Sequence, residues 1–206
     1  MRIPLFREDT SLRYEAASPS DWNTQMITHQ TKRLILVPMQ REHEAELFTL
    51  HNDPLIQKAI FKNVPQTAKD VHKMLDMFLA QWRKNRFGVW MVYEKTNNIP
   101  RFIGRCGLCD YEDTNYLEQA TALGEQAAGR GFGAEASRFA VTHALEHSTK
   151  EKIVAVIQHG NVRAARQAKK FGLRYVDDRW RDGKFYQYYE LTREEWFSQP
   201  HHHLPG

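Results

Sequence analysis

The chain has 206 residues, of which 41% are hydrophobic and 26% charged, and a formal net charge of +4. That make-up excludes wholesale disorder and is enough to bury a substantial core in one globular domain. The charge suits an anionic ligand but is too mild to mark a nucleic-acid binder, so nucleic acid is not an expected partner. No run approaches the roughly 18 apolar residues that would cross a membrane, and the first thirty residues contain no apolar stretch of signal-peptide type. No membrane partner is expected, and the expected location is cytoplasmic.

In chain order, residues 1–30 are polar and irregular, with "SPSDW" as turn chemistry, and read as an arm outside the main fold. "TKRLILVPM" is a short strand, and "QREHEAELFTLHND" a helix stopped before Pro54. In "TAKDVHKMLDMFLAQWRK" the residues Val71, Met74, Leu75, Phe78, Leu79 and Trp82 recur at helical spacing, which predicts an amphipathic helix. "FGVWMVYEK" and "RFIGRCGLCDY" flank the Asn97-Asn98 turn as a hairpin. A third strand, "YLEQATALG", runs into the glycine-rich "EQAAGRGFGAEA", which opens a helix from about Phe132 to His147. "KIVAVIQHG" is an unbroken apolar run, as in a strand covered on both faces and parallel to a neighbour. "NVRAARQAKKFG" is a helix begun by Asn161 and ended near Gly172, and "LRYVDDRW" with "FYQYYELT" closes a second hairpin on the Asp182-Gly183 turn. Residues 197–206 form a tail that includes His201 to His203.

The glycine stretch carries the functional reading. A dinucleotide fingerprint should be followed by an acid at the end of the next strand, and that strand ends "IQHG". An RNA-binding strand would continue Phe-Val after "RGFG", where Ala134 and Glu135 favour a helix. A phosphate cradle fits both sides: the glycines admit close approach to the backbone, and the helix start offers unpaired N–H groups and a positive dipole end.

Two other motifs compete. Cys106 and Cys109 have redox or zinc half-site spacing, but on a strand they point to opposite faces, as structural thiols do. "HALEH" from His143 to His147 matches a zinc pattern, yet both histidines fall on the helix stripe of Phe132, Ala136, Phe139 and Ala140, and a distal acidic ligand is missing. No metal is expected.

Gln126-x-x-Gly129-x-Gly131 after a strand resembles the acetyl-CoA pyrophosphate loop of the GNAT N-acetyltransferase superfamily. With "GFGAEA", with Asn161 followed by "KKFG", and with the opening "TKRLILVPM" and closing "YYELTREEW", the chain is similar to the RimJ/RimL branch, which includes ribosomal-protein N-terminal acetyltransferases. The resemblance covers residues 31–196 and implies an α/β (α+β) domain: a mixed, centrally splayed β-sheet flanked by helices. It implies acetyl-CoA as co-substrate, with its pantetheine arm lying in the splay between "ATALG" and "IVAVIQ". Backbone near Leu123 would pair with that arm, Gln126 and the N–H groups of Ala127, Ala128, Gly129, Arg130, Gly131 and Phe132 would surround the pyrophosphate, and Asn161 would reach the arm or serve as helix cap. Arg163, Arg166, Lys169 and Lys170 form a basic stripe, either a solvated face or, at Arg166 or Lys170, a contact for the 3′-phosphate. Glu118 stands where the branch carries glutamate and is the expected base, in a direct transfer within a ternary complex. The positions three and seven residues after Asn161, where relatives often carry serine and the tyrosine acid, hold Ala164 and Ala168, so the general acid is not identified. The expected acceptor is a protein N-terminal α-amine, with a ribosomal protein as a possible partner. A small amine such as an antibiotic or polyamine, or a non-catalytic acyl-CoA-binding module, are the alternatives.

Overall fold

The computed structural model describes residues 28–181 and 183–199. Most of the expected arm, the Asp182 side of the second hairpin turn and His201 to His203 lie outside them. The strands are β1 (His29–Gln30), β2 (Leu34–Pro38), β3 (Val89–Glu94), β4 (Arg101–Asp110), β5 (Tyr116–Gln119), β6 (Ala122–Leu123), β7 (Lys152–Gln158), β8 (Arg174–Arg181) and β9 (Lys184–Thr192). The α-helices are α1 (Glu44–His51), α2 (Pro54–Ala59), α3 (Ala68–Asn85), α4 (Phe132–Glu146), α5 (Val162–Lys170) and α6 (Arg193–Ser198). The strands form one mixed sheet in the order β1-β2-β3-β4-β5-β7-β9-β8, with β6 also paired to β4. Every pairing is antiparallel except β5 with β7. The sheet begins at His29, inside the stretch read as an arm, and α6 continues to Ser198, past the boundary expected at 196.

Local chemistry accounts for the helices. In α3, Val71, Met74, Leu75 and Phe78 are buried on one stripe, and Thr67 caps the start by exchanging hydrogen bonds with Asp70. Asp53 caps α2 with Pro54 at the first helical position, where its missing N–H costs nothing. α5 opens on Asn161, whose side chain accepts from the Ala164 amide at 3.1 Å.

The helices sort to the two faces of the sheet. α4, with Phe132, Ala136, Phe139, Ala140 and Ala144, packs with Leu117, Ile153, Ala155 and Ile157 on one face, joined by Ala168 of α5 and Trp196 of α6. α1, α2 and α3 cover the other face of β2, β3 and β4 around Met91, Ile56, Phe78 and Cys109. A third cluster, Tyr111, Val154, Val156, Tyr186 and Tyr188, lies on the β5–β7–β9 half. Cys106 and Cys109 are both free and buried, the first in the α4-side cluster and the second in the α1–α3 cluster. Among the described residues no helix is long and apolar enough to cross a membrane.

Candidate functional site: a parted pair of strands between a glycine turn and a buried glutamate

Two strands that start together separate. β5 pairs with β7 only at Tyr116↔Lys152, Leu117↔Ile153 and Glu118↔Val154. The chain then breaks at Ala120 and Thr121 and resumes as β6, which pairs with β4 alone. "YLEQATALG" is therefore two short strands rather than the one expected. From Ala155 to Gln158, β7 keeps its β9 partner and has no strand on its other side. The Ala120 amide donates to Gly107 O (2.9 Å) and the Gly124 amide to Ile103 O (3.0 Å), so alternate residues address β4. By that alternation Thr121 and Leu123 turn their backbone groups away from β4, into the gap. The backbone near Leu123, where the resemblance implies a free edge, has no β7 partner.

At the open end the chain enters a turn and then α4. Gly129 and Gly131 both have positive φ (74° and 78°), which a side chain would strain, and a Cβ on Gly129 would meet nothing within 4 Å. The N–H groups of Gly129, Arg130 and Gly131 donate to no described residue, and those of Phe132, Gly133 and Ala134 are the open donors of the first turn of α4. The cradle is narrower than the sequence suggested. The Ala127 amide is bound to Gly124 O (3.0 Å) and the Ala128 amide to Glu125 O (2.9 Å), because residues 125–127 close a 3₁₀ turn that uses up those donors. Ala127 is also buried, so neither of these two amides is open and the unpaired donors begin at Gly129. Gln126 is exposed at the mouth.

Residues not anticipated from sequence hold this turn. Asp53, besides capping α2, accepts the Glu125 amide at 3.0 Å, which fastens α2 to the loop. Glu135 accepts from Thr31 Oγ1 (2.6 Å), the Arg33 amide (2.8 Å) and Arg33 Nε (2.7 Å), and Arg33 Nη1 donates to Arg130 O at 2.9 Å. Those bonds hold the Glu135 carboxyl below its ordinary range despite burial. The guanidinium groups of Arg33 and Arg130 each lie 4.5 Å from the centre of the Phe132 ring. Arg130 is also ion-paired with Glu94, so it offers the cradle its backbone while its charge is engaged. The Asp53-Pro54 helix start was a readable signal; the Arg33–Glu135 pair, far apart in sequence, had none.

At the closed end sits Glu118, fully buried, opposite Cys109 on β4 and Val154 on β7. Its Oε1 has no hydrogen-bond partner, and its Oε2 lies 3.4 Å from Arg181 Nη1. Burial pushes its pKa up to about 7, with Arg181 pulling the other way. Tyr188, buried with an unpartnered hydroxyl, lies in the same layer, its ring 3.2 Å from the Arg179 guanidinium and 5.8 Å from Tyr111. Asn161 uses Oδ1 as cap, which leaves its Nδ2 uncommitted. Arg163, Arg166, Lys169 and Lys170 are all exposed on α5.

The histidine pair divides. His143 packs among Trp90, Phe139 and His29 and is pushed down to about 4, chiefly by burial, whereas His147 stacks on it from the exposed side rather than sharing the core stripe. Among the described residues, no three histidine, cysteine or carboxylate side chains gather as a metal site.

The fold is an α/β domain with a parted parallel pair of strands and a turn of unpaired amides at its mouth. Residues 33–174 match the family described as acetyltransferase (GNAT) domain, and the chain belongs to that family. It is similar to the Bacillus subtilis (strain 168) protein YkkB, itself uncharacterized: 26% identical over 150 residues, spanning 70% of this chain and 84% of the relative. In structure it is similar to a proposed GnaT-family acetyltransferase from Bordetella pertussis, at 22% identity and TM-score 0.69 over 80% of this chain and 98% of the other. It is also similar to a proposed ribosomal-protein-serine acetyltransferase from Vibrio cholerae, at 16% identity and TM-score 0.64 over 81% and 97% of the respective chains. The mixed sheet flanked by helices matches these folds, as the sequence led us to expect.

Proposed function

We propose that this acetyltransferase moves the acetyl group of acetyl-CoA to a primary amine by direct attack in a ternary complex, and that its acceptor is a protein N-terminal α-amine of the RimJ/RimL type. The observation that carries the reading is that one gap joins the bare amides of 129–134 at its mouth to the buried Glu118 at its crotch. Pyrophosphate at the turn directs the pantetheine along β6, past Leu123 and Thr121, and brings the thioester toward Glu118. The base then favours the acceptor class. Glu118, at about 7, takes a proton from an α-ammonium of pKa ~8 at a cost of about 1 kcal/mol, against about 5 kcal/mol from a lysine at ~10.4. The Vibrio cholerae relative's description points the same way.

Titration calorimetry with acetyl-CoA and CoA tests the co-substrate, and thiol release with ribosomal-type N-terminal peptides, polyamines and aminoglycosides tests the acceptor. Heat with acetyl-CoA and release with the peptides is the expected result. Release with small amines only replaces the acceptor, binding with no release for any amine makes the domain an acyl-CoA-binding module, and no heat with either thioester or thiol ends the reading.

A further inference from the structure

Arg105 of β4 is fully buried among the helices α1 and α3, with no exposed atom to solvate its charge. Its Nε donates to His51 Nε2 (3.1 Å), its Nη1 to Ala120 O (2.8 Å), and its guanidinium lies 5.0 Å from the centre of the Phe78 ring. Nη2 has no partner, and no carboxylate among the described residues is within ion-pair reach. The titratable groups around it leave the charge uncompensated. Burial pushes the Cys106 thiol up and the Cys109 thiol up to about 12, and with Arg105 it pushes His51 down to about 2, so all three are neutral near pH 7. Arg105 itself, lowered by burial to about 10, keeps its proton. Holding a bare cation in a core costs several kcal/mol, and a methionine of similar size would fill the space without that cost.

What the cation addresses is the break between β5 and β6. Ala120 lies two residues beyond Glu118, where the β7 ladder stops, and its carbonyl is the oxygen that Arg105 binds. The described chain contains no cis peptide, so the N–H of Thr121, which shares a peptide unit with that carbonyl, points the opposite way, into the gap. It donates to no described residue. A charge-assisted bond to one end of a peptide polarises the donor at the other end, most strongly where water is excluded.

We propose that Arg105 is a positioning residue for acetyl transfer, polarising through the Ala120–Thr121 peptide the Thr121 N–H that receives the thioester carbonyl oxygen. This rests on the reading that acetyl-CoA occupies the gap. In the step itself the amine nitrogen bonds to the carbonyl carbon, whose π electrons move onto the oxygen facing Thr121. Their return breaks the C–S bond, the sulfur leaves with that bond's electron pair, and the amine proton passes to the Glu118 carboxylate. A fixed donor aimed at charge that exists only during the reaction accelerates the chemistry rather than tightening binding.

The test is the infrared carbonyl stretch of acetyl-CoA labelled with carbon-13 at the thioester, bound to the whole chain, read beside kcat and the Kd for CoA. In the wild type the bound band should fall below its free frequency. Arg105→Met should return most of that shift and lower kcat about tenfold, with the CoA Kd within about twofold of wild type because CoA has no acetyl carbonyl. Replacing Thr121 by its α-hydroxy acid, which exchanges the N–H for an ester oxygen, should give the same losses, and adding Arg105→Met to it should change the band no further. If Arg105→Met does not fold, Arg105→Lys takes its place in the cycle, since lysine keeps the charge but loses the fork that reaches Ala120 and His51 together. An unmoved band in the arginine variant, or independent effects of the two changes, overturns the proposal while leaving acetyl-CoA binding intact. A wild-type protein that binds no acetyl-CoA overturns the reading beneath it as well.

Discussion

Replacing Glu118 by glutamine should make the protein more stable and less active at once, and the size of the gain follows from burial. An exposed glutamate titrates near 4.5, whereas in the folded chain Glu118 titrates at about 7. Between those values the folded state holds a proton that the unfolded chain has released, so stability falls as pH rises across the window and the penalty is complete above about 7. At about 1.36 kcal/mol per pH unit the whole penalty is about 3 kcal/mol, most of which accrues between pH 5 and pH 8. Glutamine is isosteric and uncharged. Its contact to Arg181 replaces an interaction that is long at 3.4 Å, so little is forfeited. Urea unfolding at the two pH values should show the variant gaining about 2–3 kcal/mol on the wild type from the lower to the higher. Its turnover should fall by about 100-fold or more, and the acid limb of the wild-type rate profile, centred near 7, should vanish. A stability difference that stays flat between pH 5 and pH 8 would refute the claim that the carboxyl is desolvated. An acid limb that survives the substitution would remove Glu118 from proton transfer.

Two further outcomes test the cradle and the stripe. Gly129→Ala places a Cβ in open space at φ +74°, so the fold should lose only about 1 kcal/mol while the Kd for CoA rises at least tenfold; an unchanged Kd means the anion sits elsewhere. Arg166→Ala should weaken CoA several-fold but leave dephospho-CoA unaffected, as measured by calorimetry at low salt, because only the former carries the 3′-phosphate; equal losses would make the exposed stripe a solvated face.

Periodic burial is what sequence reads well, and α3, α4, β7 and the two hairpins followed from it with boundaries close to those observed. The short helices were hidden for a definite reason. A helix does stop before Pro54, as the sequence predicts, but Asp53 accepts from the Leu55 and Ile56 amides and so starts another there. α6 likewise announces itself only through Thr192 and Glu195, a cap too brief to carry an apolar stripe. Glu118 stands out in the sequence but its burial does not, since the acid is enclosed by β4, β7 and the last hairpin, none of which is local to it. The break in the third strand had no glycine or proline to mark it. It follows from a change of partner, β7 up to Glu118 and β4 alone beyond, which is a property of the sheet and not of the residues at 120 and 121.

That change of partner also explains why the parted region tolerates so few large side chains on the α1–α3 face. Along β4 this face carries Arg105, Gly107 and Cys109, and opposite them stand Ala122, Ala120 and Glu118. Between the two charged groups the row is only glycine, alanine and cysteine, and a Cβ at Gly107 would come within 2.2 Å of Gly88 O. Backbone therefore approaches backbone between β3 and β4, and the two ionisable side chains border a strip with little side-chain bulk. On the proposed reading, an amine entering the gap meets a carboxyl poised near neutrality at one end, while the fixed positive charge at the other, fully buried, acts only through the Ala120–Thr121 peptide. On that reading proton removal and stabilisation of the opposite charge are separated along the β4–β5 seam, so that neither group neutralises its partner before the substrate enters.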